Sequence, residues 1–280
     1  MTQFLEPNDL ETACSELAGD ESGNMLISGG TALVLMMRHG LVAPSTLVSI
    51  WRLDTLQGIR HEGSRMWIGS RTTHTAIARS PEMRTWLPSL AEACRSVGNV
   101  RIRNVGTIGG NLAEADYAAD PPTVLVGLDA VCDVTGPEGS RQVRVADLAT
   151  WFFTTSLRSG EIITGVSVPL DPDRVYAYER FVSRSSGDRP CVGVAAMARL
   201  DGPRIEELSV VVGAVAPVPQ RFDDITGAAL GGPLDDGGRR EIAEAIGDAI
   251  EPIEDARGSA RYRRHVTSVL VRRALERVSI

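Results

Sequence analysis

At 280 residues, 43% apolar and 23% charged, the chain has material for more than one domain-sized core. Its formal net charge of −7 argues against nucleic acid or an anionic membrane surface as the main partner. No stretch approaches the roughly 20 apolar residues of a membrane span, and Met1 to Pro7 carries neither a basic nor an apolar leader segment, so a cytoplasmic protein is expected.

Residues 1–55 read as a first unit of helix, strand, helix and strand. Met25-Leu26-Ile27 is a short apolar strand, Gly29-Gly30-Thr31 a turn, Ala32 to His39 a helix, and Thr46 to Ile50 a second strand, which together make a β-α-β unit. A second unit, 56–171, opens with the alternating strand Arg65 to Gly69. Helices are predicted at Thr75 to Ser80 and from about Ser89 to Ser96, followed by a glycine-rich turn at 103–113. Pro121-Pro122 opens a helix through Leu128, since proline is tolerated in a first helical turn. Ala130 to Thr135 and Glu161 to Pro169 read as strands, with a turn at Gly136 to Gly139 and another near Asp147 to Trp151.

The texture changes in a third unit, 172–280. Tyr176 to Val182, Val192 to Leu200 and Ile205 to Val215 have the look of a three-stranded antiparallel meander. Helices follow at Arg239 to Ile250 and Ser259 to Val278. The last carries a core-facing stripe of Val266, Val269, Leu270, Ala274 and Leu275; its arginines are either a solvated face or partners of the acidic excess.

Cys14, Cys94, Cys132 and Cys191 lie among small or apolar neighbours with no C-x-x-C pair, which predicts inert buried thiols. His39, His61, His74 and His265 show no metal-ligand spacing. No protein-bound metal is expected.

The chemistry concentrates in two glycine runs. Arg103-Asn104-Val105-Gly106-Thr107-Ile108-Gly109-Gly110-Asn111-Leu112-Ala113 is followed closely by Asp116 and Asp120. Glycine lets the main chain approach a bulky anion, because it tolerates positive φ and has no Cβ. The run is neither G-x-G-x-x-G nor a P-loop. Ser28-Gly29-Gly30-Thr31 is the second such run, standing before a helix whose N-terminus favours phosphate. Either pair alone reads equally as a plain tight turn. Together, with hydroxyls at Thr31 and Thr107, the amide of Asn111 and the acceptor Asp120, they suit a pyrophosphate held by main-chain groups and a sugar-like chain of hydroxyls.

These motifs, with Ala115-Asp116-x-Ala118-Ala119-Asp120-x-Pro122, resemble the FAD-binding subunit of molybdenum hydroxylases. That family includes the medium subunit of aerobic carbon monoxide dehydrogenase and the flavin domain of xanthine dehydrogenase. The resemblance spans nearly the whole chain, through Gly160 to Pro169, Tyr178 to Arg184, Val192 to Ala196, Gly213 to Pro219 and Arg257 to Arg264. It implies an α+β protein: a two-subdomain FAD-binding fold of the PCMH/vanillyl-alcohol-oxidase type, then a C-terminal three-stranded antiparallel sheet with helices. It also implies FAD as cofactor, a molybdenum-cofactor large subunit and a [2Fe–2S] small subunit as partners, and a dimer of heterotrimers. Electrons would pass from the iron–sulfur clusters through FAD to NAD, oxygen or another acceptor.

Carried over by position, the resemblance implies FAD contacts at Ile27, Ser28, Gly29, Gly30, Thr31, Ala32 and Leu33, and at Gly106, Thr107, Gly109, Gly110, Asn111, Asp116 and Asp120. Ile163 matches an apolar residue packed on the flavin ring, and Arg180 stands where relatives usually have lysine. Ala32 and Tyr117 depart from the commoner polar residue and proline. Tyr117 either stacks on or shields the ring, or fills space. No catalytic acid or base is expected, since the protein's role is to bind, orient and tune the flavin; His74 and Tyr117 are candidates for gating access to it. Two rivals stay open: a free-standing FAD-dependent oxidoreductase, and a binding module that has lost its flavin.

Overall fold

The computed structural model describes residues 2–19 and 23–279. Its first part holds strand β1 (Gln3–Leu5), helix α1 (Leu10–Ala18), β2 (Asn24–Ile27), α2 (Leu33–Arg38) and β3 (Thr46–Ser49). Asp9 starts α1 by accepting a bond from the Thr12 amide at 2.7 Å, the usual role of a short acidic cap. The predicted β-α-β unit is present, but β1, absent from the sequence reading, joins it: the sheet is parallel, in the order β1-β3-β2.

The second part begins with β4 (Ile59–Glu62), β5 (Arg65–Gly69), α3 (His74–Arg79), α4 (Pro81–Trp86), α5 (Pro88–Ser96), α6 (Val100–Val105), α7 (Ile108–Glu114) and α8 (Asp120–Gly127). It continues with β6 (Val131–Gly136), β7 (Gly139–Arg144), α9 (Val145–Leu148), the small hairpin β8 (Ala149–Trp151) and β9 (Thr154–Thr155), and β10 (Ile162–Pro169). Five of these strands make an antiparallel sheet, β4-β5-β10-β6-β7. β10 lies between β5 and β6 and is buried along most of its length. One reading is corrected here: the glycine-rich run is not a turn. Residues 100–105 and 108–114 are two helices, joined at Gly106-Thr107.

The third part holds β11 (Val175–Phe181), β12 (Val192–Asp201), β13 (Arg204–Gly213), β14 (Gln220–Arg221), α10 (Asp223–Ala228), α11 (Asp236–Ala249) and α12 (Ala260–Val278). The predicted meander is β11-β12-β13, and β14 adds a two-residue fourth strand at its edge. α11 and α12 cover one face, with Val266, Leu270, Ala274 and Leu275 buried among Val194, Val210 and Ile246. Val269 departs from the predicted stripe and is exposed. Arg263, one of the arginines expected on a solvated face or in acid pairs, is fully buried and pairs with Asp255. Among the described residues no helix is long and apolar enough to cross a membrane, and no group of His, Cys, Asp and Glu is placed to hold a metal.

Candidate functional site

The two glycine runs meet edge to edge. A Cβ on Gly29 would stand 1.9 Å from the Val105 carbonyl oxygen, so only glycine lets these backbones touch. The Thr107 hydroxyl accepts from the Gly110 amide at 3.2 Å, capping α7, and lies 3.1 Å from Ser28 Oγ as its donor. One side chain thus starts the helix and clips the two segments together.

Gly30 has φ +65° and turns the chain toward α2, whose cap residue Ala32 makes no side-chain bond. Among the described residues, the amides of Gly29, Gly30, Thr31, Ala32 and Leu33 have no hydrogen-bond partner. Such a succession of unpaired N–H groups forms a concave seat for an anion. Ile27 to Ala32 are half-buried, so the seat opens outward.

The second run does something else. Its amides are used inside the protein: Ile108 N–H donates to Thr72 O at 3.1 Å and Gly109 N–H to Ser70 O at 2.9 Å. None of Gly106, Gly109 and Gly110 has positive φ. Close packing explains Gly109, where a Cβ would sit 2.5 Å from that of Ser70. The expected pair of equivalent donor turns is therefore one amide seat and one helix start. What the second segment offers is side-chain polarity. Asn111 Oδ1, Ser70 Oγ and His74 Nδ1 are all buried without a partner, and buried polar atoms in that state are costly unless a ligand or water meets them. His74 also donates its amide to Gly106 O at 3.0 Å. Burial, aided by the charge of Arg103, lowers its pKa to about 4, so its imidazole is neutral at neutral pH.

The remaining predicted residues have polar groups committed within the chain. Asp120 opens α8 and is buried; it accepts from the Tyr178 hydroxyl at 2.6 Å, and Arg180 Nε lies 2.9 Å away as an ion pair. Burial outweighs Arg180 and raises the carboxyl pKa to about 6. Arg180 also donates to Ser96 O at 2.9 Å and Asp188 O at 2.5 Å. Asp116 accepts from the Ala118 amide at 3.1 Å and pairs with Arg189. Tyr117 donates to Asp255 Oδ2 and accepts from Arg257, both at 2.7 Å, with its ring edge-on to Phe152. Ile163 is buried in the core of the five-stranded sheet.

The structure thus brings Ile27 to Leu33 together with Gly106, Thr107, Gly109, Gly110 and Asn111. It ties Asp116, Tyr117 and Asp120 to the third part of the chain, from which Arg180 reaches Asp120 and Ser96. Sequence reading missed Ser70, Arg189 and the Asp255–Arg257 pair as members of this region. Asp255 is 138 residues from Tyr117, and no local spacing signals that contact.

These groups fit FAD: a run of free amides suits a diphosphate, a glycine contact lets a long ligand lie close to the backbone, and the orphaned acceptors suit its hydroxyls and ring edge.

Comparison with known proteins agrees. Residues 1–171 match the FAD binding domain in molybdopterin dehydrogenase, and residues 176–278 match the CO dehydrogenase flavoprotein C-terminal domain. The glyceraldehyde dehydrogenase medium chain of Sulfolobus acidocaldarius is 31% identical over 276 residues, covering 99% of this chain and 98% of that one. The carbon monoxide dehydrogenase medium chain of Afipia carboxidovorans is 34% identical over 253 residues, 90% and 87% of the two chains. The solved carbon monoxide dehydrogenase of Hydrogenophaga pseudoflava superposes with a TM-score of 0.95 at 30% identity, over 99% of this chain and 96% of that one. With one family spanning its first 171 residues and the other nearly all the rest, the chain belongs to the FAD-binding subunits of the molybdopterin dehydrogenases.

Proposed function

We propose that the chain is the FAD-carrying electron-transfer subunit of a heteromeric molybdenum hydroxylase, an oxidoreductase of the cytoplasm. Its partners are a molybdenum-cofactor large subunit and a [2Fe–2S] small subunit, assembled as a dimer of heterotrimers. The observation that carries this reading is the run of five unpaired amides at Gly29 to Leu33, clipped to the start of α7 by Thr107. That relatives of nearly equal length are named medium chains supports a subunit over a free-standing enzyme.

When bound, FAD supplies a carrier that accepts electrons singly and gives them up singly or in pairs. The chain's own residues bind and orient it. The amides at 29–33 take the diphosphate without a cation, and Ser28, Gly106, Thr107, Gly109 and Gly110 keep the two backbones close. Asn111 supplies an acceptor along the cofactor. Ile27 and Ile163 give apolar surface, while Asp116, Tyr117, Asp120 and Arg180 frame the loop behind Asn111. Units 1–55 and 56–171 hold the cofactor between them, and unit 172–280 braces the second. Neutral His74, beside Gly106, adds no charge to the seat. No side chain is assigned a proton-transfer step.

The test is the visible spectrum of the complex purified with its partner subunits. Flavin bands at one FAD per chain, bleached when the complex's reducing substrate is added, are expected. A complex containing molybdenum and iron–sulfur clusters but no flavin, even after addition of FAD, overturns the reading.

A further inference from the structure

The third part of the chain grips one short loop of the site, and we propose that the Tyr117 hydroxyl is the latch of that grip: Tyr117 is a positioning residue that holds residues 115–119 in place and thereby sets the affinity for FAD. The inference rests on the FAD reading above.

The loop joins the end of α7 to the start of α8. It leaves α7 through Ala115, which is left-handed at φ +48°, so a single backbone setting directs the chain away from the helix. Several links hold it. Phe153 N–H donates to Ala115 O at 3.1 Å, and Arg189 pairs with Asp116. Ala214 N–H donates to Tyr117 O at 3.2 Å, and Asp120 just beyond is held by Tyr178.

Tyr117 is held by the third part of the chain at both its main-chain and its side-chain end, and both holds belong to one closed circuit. Ala214 gives its N–H to Tyr117 O and its carbonyl to Arg263. Arg263, fully buried, also donates to Cys191 O at 2.6 Å and to Asp255 Oδ1 at 2.5 Å. Asp255 Oδ2 then accepts from the Tyr117 hydroxyl, closing the ring, while Arg257 donates to both that hydroxyl and Asp255. Ala214 is itself left-handed at φ +65°, a strained setting for a residue with a Cβ; it lets one residue serve Tyr117 and Arg263 together. A fully satisfied, charge-assisted network of this kind is rigid.

The link to the cofactor is mechanical. α7 is seven residues long, about 10 Å at 1.5 Å per residue. Asn111 stands at its middle, and Gly110 and the Thr107–Ser28 clip lie toward its far end. A short helix moves as a unit, so release of its C-terminal loop shifts the cradle at its N-terminus.

The experiment titrates FAD by flavin fluorescence into the flavin-depleted complex and the full chain, wild type first, and records the melting temperature with and without FAD. Tyr117→Phe keeps the ring against Phe152 and Phe153 and removes only the hydroxyl. The expected result is a 5- to 10-fold weaker Kd, a smaller FAD-induced rise in melting temperature and faster amide exchange at 115–119. Phe152→Leu, which disturbs the ring packing but keeps the hydroxyl, is expected to leave Kd within twofold. Arg257→Gln removes the donor to the hydroxyl together with that arginine's bond to Asp255; it is expected to weaken FAD in the same direction and covers the case of a phenylalanine variant that does not fold. A Tyr117→Phe protein that melts lower yet binds FAD as the wild type does overturns the latch, as does an Arg257→Gln protein of wild-type affinity. Failure of the wild type itself to bind FAD, alone or in the complex, overturns the functional reading and the latch with it.

Discussion

At the scale of single residues, each glycine of the two runs is explained by what a Cβ there would meet. Sequence marks them as places of backbone approach, and Gly29 is one: its missing Cβ makes room for Val105 O. Gly109 serves instead to seat α7 against Ser70, which no spacing rule separates from a ligand contact. Gly29→Ala is therefore expected to cost about 3 kcal/mol or more, as overpacking against backbone does, and to abolish FAD retention. Gly227→Ala, in α10 with nothing within 4 Å of the new Cβ, is expected to gain about 0.5–1 kcal/mol from helix propensity. Urea unfolding of both variants checks the opposite signs. His74 gives a pH signature. Its folded pKa, about 4, lies below the ordinary 6.5, so the unfolded chain takes up a proton first as pH falls. The contribution is complete above about 6.5 and is lost down to about 4, up to about 3 kcal/mol at 1.36 kcal/mol per unit. Asp120, raised to about 6, acts in the opposite sense: its buried charge lowers stability as pH rises from the ordinary carboxylate range through 6. The total curve is flattened by this opposition, so the measurement is a difference. Wild type minus His74→Gln is expected to fall steadily from pH 7 to pH 4, and a flat difference refutes the assignment.

Among the elements, apolar patterning and the proline signal are enough to place α5, α8, α11, α12 and the three main strands of the third sheet. Two readings at this scale are revised by the structure, for distinct physical reasons. In α7 the local propensity is poor, since Gly109-Gly110 opens it, yet the Thr107 cap and the bonds to Ser70 O and Thr72 O fix its first turn: tertiary contacts override propensity. α12 was placed correctly, but its arginines were treated as one class. Arg263 lies three, seven and eleven residues before Val266, Leu270 and Ala274, so the helical stripe already marked it as inward-facing. Its buried fork ties Cys191 O, Ala214 O and Asp255. Burial pushes the Asp255 carboxyl up, but the Tyr117 hydroxyl and Arg263 more than offset it and hold the group well below the usual carboxylate range. Arg263→Met takes one donor from that carboxylate and leaves two buried carbonyls without theirs, and is expected to cost about 3–5 kcal/mol. Arg263→Lys is expected to recover less than half, because one ammonium cannot reproduce a planar fork serving three oxygens. Chemical denaturation of the two variants measures both figures. A methionine variant as stable as the wild type would show that the circuit through Asp255 carries no net stability.

For the whole molecule, the sequence could supply the parts but not their assembly. β10 runs from residue 162 yet pairs with β5, almost a hundred residues earlier, and Ser28, beside the amide seat, bonds Thr107 across 79 residues. Neither pairing leaves a trace in spacing or hydropathy; the second follows only from the shared anion-binding chemistry of the two glycine runs and from the resemblance to a family. The proposed site accordingly spans the seam between the parallel sheet of the first part and the second part, where Ser28 meets Thr107. A ligand bound to such a seam stabilises both sides together. At 100 times its Kd, FAD contributes about 2.7 kcal/mol by mass action, which for a chain of this size is a rise of about 5–10 °C in melting temperature. A rise alone does not locate the site; amide exchange does. In the FAD-saturated complex, protection is expected to increase at 29–33 and at 105–111 in parallel, with the larger gain at 29–33, where the free protein has no acceptor for its amides. The C-terminal sheet at 192–213 is expected to change far less. Protection confined to one segment would mean that FAD sits on one sheet and not across the seam.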